Sequence, residues 1–228
     1  MGKFIVIEGL DGSGKHTQML NLDKYLRERG DKTVCLEFPC YGTPGCAMAE
    51  RYLSGEFGQD PNAVNPYAAS LFFAIDRFYS YRTAWRDRLD DEDTFVLADR
   101  YTTANAIHQS SKLPDKEKDA YLDWLFDTEY SKLGLPCPDA VVYLELTPSL
   151  SEALVEKRSV TQGRALDIHE KDASFYTKSY QAALYCADKY GWLTLRCYDK
   201  DSNGNDFMKS RDEIFSEMRD ILTCRGII

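Results

Sequence analysis

The stretch Ile5-Val6-Ile7-Glu8-Gly9-Leu10-Asp11-Gly12-Ser13-Gly14-Lys15-His16-Thr17 constrains this chain more than any other. A short β-branched apolar run passes directly into a glycine-rich turn and then into residues of helical pattern, the context of a loop that wraps phosphate. Gly9, Gly12 and Gly14 permit conformations and close approaches that a side chain would block, so the N–H groups of the loop, Asp11 and Ser13 among them, converge on anionic oxygens. The helix that begins near Lys15 adds the positive end of its dipole. Lys15 supplies a full charge where the lysine of such loops reaches the β- and γ-phosphates. The next residue is normally Ser or Thr, held to magnesium, but here it is His16. Imidazole suits softer metals than magnesium, so the hydroxyl role passes to Thr17. The alternative is a strand-to-helix turn that binds nothing.

At 228 residues the chain is long enough for one well-cored domain spanning 1–228. Its formal net charge of −9 argues against a nucleic-acid partner, because duplex binding needs a basic surface to displace counterions. Seven cysteines form an odd count without the density of a disulfide scaffold, and they read as reduced, cytosolic thiols. No signal peptide is apparent, and no window is long and apolar enough to span a membrane.

Apolar spacing predicts helices over 17–29, 47–53, 66–88, 116–133, 149–158, 174–190 and 211–222. Strands are expected over 33–38, 94–98, 140–146 and 192–197 besides the first. Pro39, Gly42 and Gly45 punctuate a loop at a strand's carboxyl end. Residues 159–172 mix Gly, Arg, Asp and His without apolar periodicity and read as a mobile loop, with a lid at about 158–172. Strands alternating with helices imply a doubly wound α/β fold, its mainly parallel sheet covered by helices on both faces. Ligands bind such sheets at the carboxyl ends of the strands.

Asp99 and Arg100 end the strand at 94–98, where Asp99 is placed to hold water on a metal and Arg100 to grip an anion. A buried Asp–Arg pair that ties the sheet edge together is the structural alternative. Phe73 and Arg77 lie four apart on the helix that starts at Pro66 and share a face. An aromatic plate beside a planar donor fork suits a nucleobase, although core packing would also explain Phe73. Asn105 and Gln109, again four apart, bring amides to base edges or occupy solvated helix positions.

These residues resemble the thymidylate kinase family of nucleoside monophosphate kinases. The likeness rests on Glu8-Gly9-Leu10-Asp11-Gly12-Ser13-Gly14-Lys15, Phe38-Pro39, the Phe73-to-Arg77 helix, Asp99-Arg100-Tyr101 and the arginine-bearing loop ending Asp167-Ile168-His169-Glu170. It implies ATP-dependent phosphorylation of dTMP to dTDP with magnesium, a phosphate-loop fold and, usually, a homodimer. By the same resemblance Asp11 meets the acceptor's 3′-hydroxyl, Phe73 stacks on thymine, Arg77 donates to its carbonyl and Arg100 clamps the acceptor phosphate. Phe38, Tyr101, Asn105 and Gln109 complete the acceptor site. With no arginine between Gly9 and Gly14, the lid arginines Arg158 and Arg164 take the catalytic role. His16 departs from the family pattern, as do Cys40 and Tyr41, which stand where many relatives carry an arginine.

Two other readings share the phosphate loop. A deoxynucleoside kinase must deprotonate a neutral hydroxyl, and Glu37 could serve as its base. A nucleotide sensor would bind ATP without transferring phosphate. No Asn-Lys-x-Asp motif supports a GTPase.

Overall fold

The structure is a computed structural model that describes residues 2–162 and 173–228. Five parallel strands form the central sheet in the order β2-β3-β1-β4-β5, with β1 at Lys3–Gly9, β2 at Lys32–Glu37, β3 at Thr94–Asp99, β4 at Ala140–Glu145 and β5 at Leu193–Arg196. Side chains alternate across a strand, so β1 divides its apolar run between two cores. Ile5 and Ile7 pack with Leu22 and Leu26 of α1 (Lys15–Arg29) and with Ile214 and Met218 of α9 (Arg211–Cys224). Phe4 and Val6 face the opposite way, onto Trp85, Leu89 and Tyr101. Burial on both faces explains why β1 reads as nearly continuous apolar sequence.

The remaining helices are α2 (Ala47–Leu53), α3 (Pro66–Ser80), α4 (Arg86–Leu89), α5 (Thr102–His108), α6 (Asp115–Phe126), α7 (Pro148–Gln162) and α8 (Ala173–Tyr190). The doubly wound parallel sheet expected from sequence is present. Five details differ, the first being α5, which lies where apolar spacing predicts no helix. The helix expected over 66–88 widens into a π-turn at Tyr81–Trp85, and that expected over 116–133 does the same at Asp127–Lys132. An inserted residue of this kind rotates the following side chains, which periodicity at 3.6 does not register. Each contains one buried residue: Trp85 is 1% exposed and Glu129 is fully buried. α7 runs on to Gln162, so 159–162 is helix rather than loop, while residues 163–172 of the expected lid lie outside the described residues. Finally, a hairpin of β6 (Tyr198–Lys200) and β7 (Asp206–Met208) was not anticipated, its strands of three residues being too short to show alternation. Among the described residues no helix is long and apolar enough to cross a membrane.

Candidate active site

At the carboxyl ends of β1, β2 and β3 opens a cavity of about 640 Å³. Its floor is the loop between β1 and α1. Gly12 and Gly14 hold φ of 84° and 88°, conformations that favour glycine, and a Cβ on Gly12 would stand 3.0 Å from Leu154 Cβ. Gly14 starts α1, whose first turn has neither a side-chain cap nor an acidic residue. The leading amides and dipole end are therefore left to an anion.

Asp11, Gly12, Gly14, Lys15, His16 and Thr17 all line the cavity. Gly9 and Ser13 do not. Gly9 closes β1, where a Cβ would meet Ser13 Oγ at 2.6 Å and Leu144 O at 2.8 Å, and Ser13 is fully buried beneath the loop. Lys15 Nζ donates to Leu10 O at 3.0 Å and lies 4.0 Å from Asp11 Oδ1. Burial, and next the positive charge of Arg100, push the Lys15 pKa down. An arriving polyanion would reverse that penalty, because an opposite charge at close range favours the ammonium form.

Arg100 is the described non-glycine residue with positive φ, at 69°. The strained backbone directs its guanidinium across the cavity mouth, where Nη2 donates to Asp11 Oδ1 at 2.6 Å, Nη1 lies 2.9 Å from His108 Nε2 and Glu8 Oε1 stands 3.7 Å away. Burial disfavours the charge, but Asp11, Glu8 and Asp99 outweigh it and raise the pKa, so Arg100 stays cationic. The structural alternative, an Asp99–Arg100 pair tying the sheet edge together, does not form. Among the described residues Asp99 makes no ion pair, and its Oδ1 is buried without a hydrogen bond. Glu8 is fully buried, and burial raises its pKa although Arg100, Lys15 and hydrogen bonds from Gly9 N and Thr103 Oγ1 oppose the rise.

The other half of the cavity is organic. Phe38, Phe73, Arg77, Tyr101, Asn105 and Gln109 line it. Asn105 and Gln109 are 3% and 1% exposed, which removes the solvated-helix alternative for both. Gln109 Oε1 is buried without a hydrogen-bond partner, and Asn105 Nδ2 donates to Ser70 O at 3.2 Å. Tyr101 is fully buried, and its ring packs on Phe4, Phe38 and Trp85, so it belongs to the core as much as to the wall. Arg77 is not a free fork: Nε and Nη2 both donate to Glu129 at 2.6 Å, and Nη1 reaches Tyr101 O at 3.3 Å. Burial opposes its charge, but Glu129 outweighs burial and raises the pKa. N–H groups remain on Nη1 and Nη2, since a guanidinium carries five. Arg164 lies outside the described residues, as does the side chain of Arg158.

Sequence reasoning missed Glu8, His108 and Glu129. Glu8 leaves a signal, a carboxylate inside an apolar strand. Glu129 does not, being 52 positions from Arg77. The wall also includes Phe175 from α8 and Met208, Ser210 and Arg211 from the unanticipated hairpin and α9.

An uncapped helix behind a glycine loop, at the carboxyl edge of a parallel sheet and faced by an arginine and an aromatic wall, defines a phosphate-loop nucleotide-binding protein. The family model for thymidylate kinase matches residues 7–219. The chain is 33% identical to the thymidylate kinase of Mycobacterium tuberculosis over 198 residues, 84% of this chain and 90% of that one. It is 26% identical to the thymidylate kinase of Caldicellulosiruptor saccharolyticus over 222 residues, 97% and 96% of the two chains. The structure of thymidylate kinase from Candida albicans shares the fold, with a TM-score of 0.70 over 99% of this chain and 93% of that chain at 22% identity. The chain belongs to the thymidylate kinase family.

Proposed function

We propose that this protein transfers the γ-phosphoryl group of ATP to dTMP, giving dTDP. The observation that carries this reading is that Lys15 and Arg100 share one cavity with Phe73, Arg77, Asn105 and Gln109, a pair of cations beside a wall suited to a base. The donor phosphates would lie in the loop of Gly12 to Thr17, against Lys15 and the first amides of α1. The acceptor phosphate would compete with Asp11 for Arg100, and the freed Asp11 carboxylate would accept from the sugar 3′-hydroxyl. Thymine would stack on Phe73, with the spare N–H groups of Arg77 facing its carbonyl and the Gln109 side-chain amide turned to its edge. An acceptor phosphate is already an anion and needs no strong base, so positioning and charge neutralisation suffice. Arg158 and Arg164 are the proposed source of charge on the transferring group.

A divalent cation belongs to this reading because it would neutralise charge shared between donor phosphates. Asp99, with its unpartnered buried oxygen, and Thr17 on the same wall supply oxygen donors for such an ion, and His16 beside them adds a nitrogen that magnesium does not favour. A homodimer also belongs to it. Leu71, Ile75 and Tyr79 stand at i, i+4 and i+8 of α3 and are 43%, 52% and 37% exposed, an apolar stripe that a second copy would cover. Seven free thiols support a reducing, cytosolic setting.

A coupled assay with ATP and a panel of monophosphates tests the activity. dTMP should be the preferred acceptor. Turnover of thymidine but not dTMP would move the chemistry to Glu37 as a base, and ATP binding with no turnover of any acceptor would mean a sensor; either result overturns the proposal.

A further inference from the structure

Parallel pairing of β2 with β3 sets Glu37 directly opposite Asp99 at the carboxyl ends of both strands. His16, in the first turn of α1, closes the third side. One imidazole nitrogen and two carboxylate oxygens from these residues lie within 4.8 Å of one another, and His16 Nδ1 stands 3.6 Å from Glu37 Oε2. All three line the cavity. Among the described residues neither carboxylate makes an ion pair with a lysine or arginine. Lys15 Nζ is instead directed at Leu10 O and Asp11.

A second, independent observation points to a ligand. Asp99 is 6% exposed, and its Oδ1 is desolvated without a hydrogen bond. Such an oxygen carries a cost that protein contacts leave uncompensated. Donor atoms bonded at ~2.0–2.2 Å to a first-row dication stand ~3–4 Å apart, so rotation of the two exposed side chains, His16 and Glu37, is enough to close the set. The donors also discriminate between metals. Magnesium prefers oxygen and retains its water, whereas a nitrogen with two carboxylates suits Mn²⁺, Co²⁺ or Zn²⁺.

We propose that His16, Glu37 and Asp99 form a binding site for a first-row transition dication in preference to magnesium. Three protein ligands leave coordination positions open toward the loop, where phosphate oxygens would complete them. The use of the ion rests on the donor-nucleotide reading of this cavity, but its binding does not.

Mn²⁺ titration of the nucleotide-free protein, followed by electron paramagnetic resonance, separates the two. We expect one Mn²⁺ per chain, retained against about a hundredfold excess of Mg²⁺, with electron-spin-echo modulation from a directly bound ¹⁴N. The modulation should vanish in His16→Ser, and affinity should fall about tenfold or more in His16→Ser and in Glu37→Gln. Absence of binding, displacement by equimolar Mg²⁺, a wild-type ion without nitrogen coupling, or coupling that survives His16→Ser would each overturn the inference. The wild-type nitrogen signature does not depend on how any variant folds, and none of these readouts involves turnover.

Discussion

Arg77 illustrates how a side chain can serve a site and a core together. Its two bonds to Glu129 lie between residues 2% and 0% exposed, so truncation leaves a carboxylate buried without a partner. Arg77→Ala should therefore lower unfolding stability by ~3–5 kcal/mol as well as weaken dTMP use, and Arg77→Ala/Glu129→Leu should recover much of the stability but none of the acceptor binding. Denaturant midpoints and acceptor KM for the two variants check this; equal destabilisation by both would mean that the pair is not the cause. Lys15 behaves in the opposite way. Burial already depresses its pKa, so Lys15→Met should abolish turnover without lowering the melting temperature. At this scale the identities of Lys15, Asp99 and Arg100 were legible because each sits at a fixed offset within a local motif. Glu129 was not, since its partner Arg77 is 52 positions away and a one-dimensional pattern carries no signal for such a pair, nor was His108, whose contact with Arg100 eight positions earlier depends on the turn between β3 and α5.

Between elements, Lys112 joins three pieces of chain. Its ammonium, in the short turn after α5, donates to Tyr52 Oη of α2 and to Pro61 O at 2.7 Å in the connection that leads to α3. Burial lowers its pKa from 10.5 to about 7, against a smaller opposing effect of Asp60. Between those values the unfolded chain holds a proton that the folded chain has released, so this group makes stability rise with pH from about 7 toward 10.5, with the effect levelling off below 7 where both states are protonated. Lys112→Met removes the titration. Melting curves from pH 7 to 10 should show the variant's advantage over wild type shrinking as pH rises; a constant difference would place the Lys112 pKa outside this range. Element types were readable from apolar period, yet both π-turns were invisible, because a single extra residue changes the facing side chain without changing composition.

For the whole molecule, the stripe of Leu71, Ile75 and Tyr79 sets the expectation for assembly. Ile75→Arg should shift sedimentation from dimer toward monomer while leaving the monomer folded; an unchanged sedimentation coefficient would put the interface elsewhere. Local sequence determined the phosphate loop, the alternation of strand and helix and hence the parallel sheet, because each depends on residues close together in the chain, on backbone freedom at glycine and on burial of apolar faces. Tertiary structure alone decided that Arg77 is shared with Glu129, that Arg100 turns to Asp11 and His108 rather than Asp99, and that His16 meets Glu37 and Asp99 at one edge. Those outcomes follow from strand register and helix packing, which bring side chains together from distant parts of the sequence.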